Sequence, residues 1–202
     1  MHREEDDVTL ASYQAGAMRY VERTPALGPQ LSAYLDTIAA RVGAGGSVLE
    51  VGSGPGRAAA YLETKLLRVF RTDATPAFVQ MMRSGGYDAD LLDVRTDDLG
   101  GPFDAIVATA VLLHLTPPEL EAFLQRAHDA VVDRGIIAFT LKEGDGSAWT
   151  TEKLDLPRHF TYWREPGLRA LMARTKWRPL IVDRVNLAVP WLFVIAESGA
   201  DR

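Results

Sequence analysis

The chain has 202 residues, 47% of them hydrophobic, a formal charge of −5 and no cysteine. That length fits one globular domain with a full core, and the acidic balance without a Lys/Arg run argues against a nucleic-acid partner. The lack of thiols excludes disulfides, thiolate zinc sites and cysteine-ligated iron–sulfur clusters.

From the amino terminus, residues 1–7 are acidic with no apolar signal core. The longest apolar stretch, near Leu187 to Ala196, is too short to span a bilayer, so a soluble cytoplasmic protein is expected. Val8 to Glu22 reads as a helix capped by Asp7 or Thr9, and Leu31 to Val42 as a second, amphipathic one closed by glycines. Tyr13 and Tyr20 share a helical face, where they either pack on the core or reach a ligand.

Ser47 to Tyr61 is the stretch that organises the rest. Val48, Leu49 and Val51 give a short buried strand, Gly52, Gly54 and Gly56 force a turn around Ser53, and a helix restarts at Arg57. Glycines let backbone N–H groups approach a ligand, and the helix that follows points its positive end at the same place. A dinucleotide fingerprint needs its third glycine where Arg57 stands, so that fingerprint fails. Glu50 lies inside the apolar strand, and a buried carboxylate needs donors from the glycine loop or a cationic ligand.

A second strand, Leu66 to Thr72, ends in Asp73. That acid falls about twenty residues past the turn, where a carboxylate can accept two ribose hydroxyls; it also suits capping of a helix over Thr75 to Ser84. A short third strand near Ala89 to Leu92 leads to Asp93 and Val94 among further acids, Asp88, Asp90, Asp97 and Asp98, which also read as a solvated loop. Phe103 to Ala108 is a fourth buried strand, followed by Thr109 and the segment through His114. Pro117 and Pro118 open a helix running through Glu119 to Val132, with His128 on its surface. Ile136 to Leu141 is the fifth strand. Beyond it lie Lys142 and an insertion, about 143–164, rich in cations and rings: Trp149, Arg158, His159, Phe160, Tyr162 and Trp163. A helix from Glu165 to Thr175 and strands near Leu180 to Val185 and Trp191 to Ala196 complete the chain. Strands alternating with helices predict an α/β fold with a mostly parallel sheet covered on both faces.

Taken in order, the acid before Gly-x-Gly-x-Gly, Asp73, the Asp93 position and the Phe-Asp strand with its following His resemble the class I S-adenosylmethionine-dependent methyltransferases of small, single-domain, small-molecule type. Asp133-Arg134-Gly135 departs from the usual Pro-Gly-Gly of that family. The resemblance implies a Rossmann-like fold of seven strands with the last antiparallel, residues 1–46 forming a helical lid on a 47–202 core. It implies S-adenosylmethionine as cofactor, S-adenosylhomocysteine as product, and methyl transfer to an oxygen, nitrogen or carbon of a small molecule, as in secondary metabolism, by a monomer or homodimer without nucleic acid, membrane or metal. A non-catalytic module that binds the same cofactor is the alternative.

The cofactor site it implies comprises Tyr13, Tyr20, Glu50, Gly52, Ser53, Gly54, Gly56, Asp73, Ala74, Asp93, Val94, Ala108 and Thr109, with Asp93 accepting from the adenine amino group beside the Val94 N–H. If the acceptor must lose a proton, His114 is the first base candidate, with His159 and Tyr13 next, and a structural role for His114 stays open. Substrate contacts are expected from His114, Lys142, Arg158, Tyr162 and Trp163. Lys142 and Arg158 would suit a carboxylate or phosphate, or else form ion pairs with Glu143, Asp145 or Asp155. The rings at Phe160, Tyr162 and Trp163 would cage a substrate or simply pack the last helix.

Overall fold

The computed structural model describes residues 4–24 and 26–199, and of residues 4–7 the backbone path alone. Asp7, one of the expected helix caps, therefore has a side chain outside the described set. Two helices, α1 (Glu4–Arg23) and α2 (Pro29–Val42), precede β1 (Ser47–Val51). There follow α3 (Arg57–Glu63), β2 (Arg68–Asp73), α4 (Pro76–Ser84), β3 (Ala89–Leu91), β4 (Phe103–Ala108), α5 (Pro117–Asp129) and β5 (Val131–Lys142). The chain ends in β6 (Ser147–Thr150), β7 (Arg158–Thr161), α6 (Glu165–Arg174), β8 (Trp177–Asn186) and β9 (Pro190–Ser198).

Seven strands form one sheet in the order β3-β2-β1-β4-β5-β9-β8, parallel from β3 to β5. The final strand, β9, runs antiparallel to both β5 and β8, as expected. The chain reverses its direction of winding between β1 and β4, and in open α/β sheets ligands bind outside the carboxyl ends at that reversal.

Strand alternation sorts the core onto two faces. Leu49, Val51, Ile106, Ile137 and Phe139 pack with Leu120, Phe123 and Leu124 of α5 and Leu168 and Leu171 of α6. Val48, Ala105, Val107, Ile136 and Ala138 pack on the other face with Tyr34, Leu35 and Ile38 of α2 and Ala58 and Leu62 of α3. The buried Tyr34 hydroxyl donates to the Val194 carbonyl at 2.5 Å.

The boundaries between α5 and β5 differ from the sequence expectation. α5 ends at Asp129 rather than Val132, and β5 starts at Val131 rather than Ile136. The Asp133-Arg134-Gly135 segment is absorbed as an irregularity inside the strand, with Arg134 at φ 59° and the β4–β5 register shifting between Phe103 and Ala105. The insertion is an antiparallel hairpin, β6–β7, that joins no other sheet. His128 is also not a surface residue: its side chain is 11% exposed and its ring sits edge-on to Trp177 at 5.5 Å.

β7 is buried along its length because α1 lies against it. Ser12 Oγ donates to the Pro157 carbonyl at 2.7 Å, the His159 N–H donates to Thr9 Oγ1 at 3.1 Å, and Arg19 donates to the Leu154 carbonyl. Gly16 permits the approach, since a Cβ there would stand 3.1 Å from Leu154 Cδ2. On its other side α1 touches the core, with Arg57 donating to the Val21 carbonyl and the Ala77 N–H donating to Gln14 Oε1. α1 thus bridges the hairpin and the carboxyl edge of the sheet.

Candidate functional site

Under α1, at the reversal point, lies a cavity bordered by the glycine turn, the ends of β2 and β3, and the segment after β4. The turn is built by three left-handed residues, Gly52 at φ 64°, Gly54 at 55° and Gly56 at 76°. They serve different neighbours. A Cβ on Gly52 would meet Val111 Cγ2 at 2.4 Å and one on Gly56 would meet Met82 Sδ at 3.2 Å, so these two make room for packing. Gly54 borders the cavity, with Tyr20 Cε1 nearest at 3.8 Å.

Asp73 ends β2 at the cavity, 6% exposed. Its Oδ2 accepts the Gly54 N–H at 2.8 Å and its Oδ1 the Thr75 N–H at 2.8 Å. Burial raises its pKa, while those two backbone bonds hold it down. The acid therefore ties the glycine turn to the start of α4; the helix cap position itself belongs to Thr75.

Glu50 lies elsewhere. Alternation turns it to the α3 face, beneath the turn, 1% exposed, where the Ser53 hydroxyl and the Ala59 N–H bond to it while Oε2 has no partner. Burial pushes its pKa up to about 7.

Of the residues expected at the cofactor, Tyr13, Tyr20, Gly52, Gly54, Asp73, Ala74, Asp93, Val94 and Thr109 border the cavity. Glu50, Ser53, Gly56 and Ala108 do not: Ser53 is buried under the turn, Gly56 faces Met82, and Ala108 is sealed in β4. Asp93 is not a solvated loop acid. Its carboxylate is gripped by its own neighbour Arg95, whose Nη2 lies 2.6 Å from Oδ2 and whose Nε lies 2.9 Å from Oδ1. Sequence reasoning missed Arg95 and Phe78, which also border the cavity. The position of Phe78, in the first turn of the helix after Asp73, was the available signal.

The far end of the cavity is aromatic. Tyr13 stands 5.7 Å from Tyr20, 6.2 Å from Phe78 and 5.4 Å from His114, between ring centroids. The His114 Nδ1 faces the His159 carbonyl at 2.8 Å, and a carbonyl only accepts, so Nδ1 carries the proton. Nε2 is then an acceptor, and it takes the Tyr13 hydroxyl at 3.0 Å. Arg158 Nη1 donates to the same Tyr13 oxygen at 3.1 Å. Arg158, Tyr13, His114 and the His159 carbonyl form one directed chain. Burial pushes His114 down to about 4 and Tyr13 well above its usual range, so both stay neutral near pH 7.

The remaining predicted substrate residues lie behind this wall. Lys142 Nζ sits 4.0 Å from the Phe160 ring centroid and the Arg158 guanidinium 5.2 Å from it. Tyr162 and Trp163 border a separate cleft with His159. The ion pairs that Lys142 and Arg158 were open to are taken by others: Glu143 pairs with Arg164 and Arg184, Asp145 with Arg164, and Asp155 with Arg19 and Arg23. Among the described residues no cluster of three or more His, Asp or Glu could hold a metal ion, and no helix is long and apolar enough to cross a membrane.

The strand order, the antiparallel last strand and the glycine turn beside Asp73 define the Rossmann-like fold of the class I S-adenosylmethionine-dependent methyltransferases. In agreement, residues 49–137 match the family model described as Methyltransferase domain. None of the curated protein sequences matches the chain. Among solved structures it is similar to the DhpI–SAM–HEP complex, at 20% identity over 97% of this chain and 99% of that one, TM-score 0.77. It is also similar to the 1,6-didemethyltoxoflavin-N1-methyltransferase of Burkholderia thailandensis, solved with 1,6-didemethyltoxoflavin and S-adenosylhomocysteine, at 19% identity over 98% and 92%, TM-score 0.70. A third is magnesium protoporphyrin IX methyltransferase of Synechocystis PCC 6803 with bound SAM, at 12% identity over 98% and 99%, TM-score 0.72.

Proposed function

We propose that this chain transfers the methyl group of S-adenosylmethionine to a small-molecule acceptor, leaving S-adenosylhomocysteine. The observation that carries the reading is Asp73, a buried carboxylate at the carboxyl end of β2 that borders the cavity and keeps acceptor capacity beyond its bonds to Gly54 and Thr75. The residues fit an adenosyl group. Asp73 would take the ribose hydroxyls, Asp93 with the Val94 N–H the adenine edge, and Leu92, Val94 and Phe78 the faces of the base. Tyr13 and Tyr20 on α1 would close over it, and Glu50 would support the turn from below. The cofactor supplies an electrophilic methyl group on a sulfonium.

The protein's own task is then to place the acceptor in line and exclude water, which positioning can do without a strong base. Tyr13 presents its oxygen at the acceptor end, held by Arg158 and His114. A proton leaving an acceptor would pass through the Tyr13 hydroxyl to His114 Nε2. His159 contributes its carbonyl to orient His114 and its ring does not border the cavity, so it is a positioning residue. Small-molecule acceptors are favoured by the charge of −5 and by the acceptors named for the Burkholderia and Synechocystis enzymes. We read residues 1–202 as one cytoplasmic methyltransferase domain, with 1–46 as its cap.

Calorimetry tests the cofactor: S-adenosylhomocysteine binds tightly and NADH weakly or not at all, and the reverse result sinks the reading. Transfer of label from S-adenosylmethionine into a pool of small molecules from cell extract separates an enzyme from a non-catalytic binding module.

A further inference from the structure

We propose that the acceptor carries an oxyanion, a carboxylate or a phosphate, and that Arg158, Lys142 and Lys153 recognise it from behind the Tyr13 wall of the cavity. The word acceptor rests on the methyltransferase reading; the anion site does not.

Arg158 is 3% exposed, a burial that a guanidinium tolerates when a carboxylate neutralises it. Among the described residues no carboxylate lies within ion-pairing distance of it. Nη1 donates to the Tyr13 oxygen, Nη2 to the Glu152 carbonyl, and the buried Nε has no partner. Its charge is therefore met by neutral oxygens and by two ring faces, Tyr13 at 5.5 Å and Phe160 at 5.2 Å.

A second cation shares the Phe160 ring. Lys142 Nζ is 4.0 Å from its centroid, and among the described residues Lys142 also has no carboxylate within ion-pairing distance. Burial first, and then Arg158 and Lys153, lower its pKa against the pull of Glu152. Lys153 reaches over Tyr20 at 6.0 Å, on the exposed hairpin turn. Three like charges thus converge on one aromatic cluster, which also includes His114, 5.1 Å from Phe160. Among the described residues Glu143, Asp145 and Asp155 are committed to Arg19, Arg23, Arg164 and Arg184, and the exposed Glu152 attracts Lys142 and Lys153 without forming an ion pair with either. Three convergent cations facing one exposed acid, beside planar rings, are an arrangement that an oxyanion completes. The aromatic wall supplies the flat contact such a ligand needs.

The test titrates the full chain calorimetrically with inorganic phosphate and with acetate, each with and without S-adenosylhomocysteine. Ionic strength is held constant with chloride, and glycerol serves as the neutral control. The expected result is saturable binding of at least one oxyanion, weakened fivefold or more by Lys142→Met and by Lys153→Met, with no binding of glycerol. Phosphate alone or acetate alone identifies the group. Arg158→Gln should abolish binding where circular dichroism shows it folded, and the two lysine variants decide the matter if it is not. Binding no stronger than the chloride background, or equal binding by wild type and both lysine variants, overturns the proposal. Failure of S-adenosylhomocysteine to bind overturns the cofactor reading instead, and the titration of the free chain still decides this one.

Discussion

The two ends of the cavity are backed by opposite charges and are built in opposite ways. At the strand-end side stand Asp73 and Asp93, fastened by groups close in sequence: Gly54 is 19 positions from Asp73, and Thr75 and Arg95 are two positions from their acids. At the α1 side Tyr13 and His114 border the cavity, with Arg158, Lys142 and Lys153 behind them, and Tyr13 is 101 positions from His114 and 145 from Arg158. The acidic end is made by backbone donors of a parallel sheet that folds locally. The cationic end exists only once α1 and the β6–β7 hairpin have docked. A cationic sulfonium suits the first end and an anionic acceptor the second, so the cavity's polarity would orient both reactants.

The sharpest way to break this comparison is Asp73→Ala. Losing charge-assisted bonds to two ribose hydroxyls should weaken S-adenosylhomocysteine binding by about 2–4 kcal/mol, roughly 30- to 1,000-fold, by calorimetry. An unchanged affinity would remove Asp73 from the cofactor site.

Next in size is a pH effect in which Glu50, beneath the glycine turn, opposes His114 at the aromatic end. Glu50 has its folded pKa raised from 4.5 to about 7, so the folded state holds a proton that the unfolded chain has lost, and stability falls as pH rises across that window. His114 has its folded pKa lowered from 6.5 to about 4, so its contribution is complete above 6.5 and is lost as pH falls toward 4. Each amounts to about 3 kcal/mol over its window. Between pH 4.5 and 6.5 the two nearly cancel. Urea unfolding should therefore show that Glu50→Gln makes stability rise with pH there, while His114→Asn makes it fall. Parallel slopes in the two variants would refute the opposition.

The same contrast explains what the sequence made legible. Gly52, Gly54, Asp73 and the order of the first five strands were readable because each depends on local patterning: a short apolar run, a turn that only glycine enters cheaply, an acid at a strand end. Gly56 looked equivalent to its neighbours and is not, because its missing Cβ is set by Met82 of α4. Glu50 read as an acid satisfied by donors of the glycine loop or by a cationic ligand, and strand alternation, turning it to the α3 side, gives it the Ser53 hydroxyl and the Ala59 N–H. The 143–164 insertion gave composition without shape. Its hairpin pairing and the burial of Arg158 depend on α1, more than a hundred residues earlier, and no periodicity in either segment records that contact. His128 read as surface because Trp177, which covers it, belongs to a distant strand.

Tyr13→Phe probes the cationic end more gently. It leaves the ring contacts in place but deprives Arg158 Nη1 of its acceptor and His114 Nε2 of its donor, a loss of about 1–3 kcal/mol in unfolding free energy. Cofactor affinity should change little, since Tyr13 meets that end through its ring, whereas methyl transfer should fall more than tenfold if the hydroxyl positions the acceptor.

The smallest expected effect checks that the two ends are separable. Thr116 caps α5 in a reciprocal pair, with the Thr116 N–H donating to Glu119 Oε2 at 2.7 Å and the Glu119 N–H donating to Thr116 Oγ1 at 3.4 Å. Thr116→Ala should cost about 1 kcal/mol and lower the Tm by about 2–4 °C. α5 starts two residues beyond Leu115, at the His114 side of the cavity, and contributes nothing to the Asp73 side. S-adenosylhomocysteine affinity measured below the transition should then match wild type. A cofactor affinity that falls with the cap would mean that loosening the acceptor side alone reshapes the glycine turn, and the two ends would have to be treated as one cooperative unit.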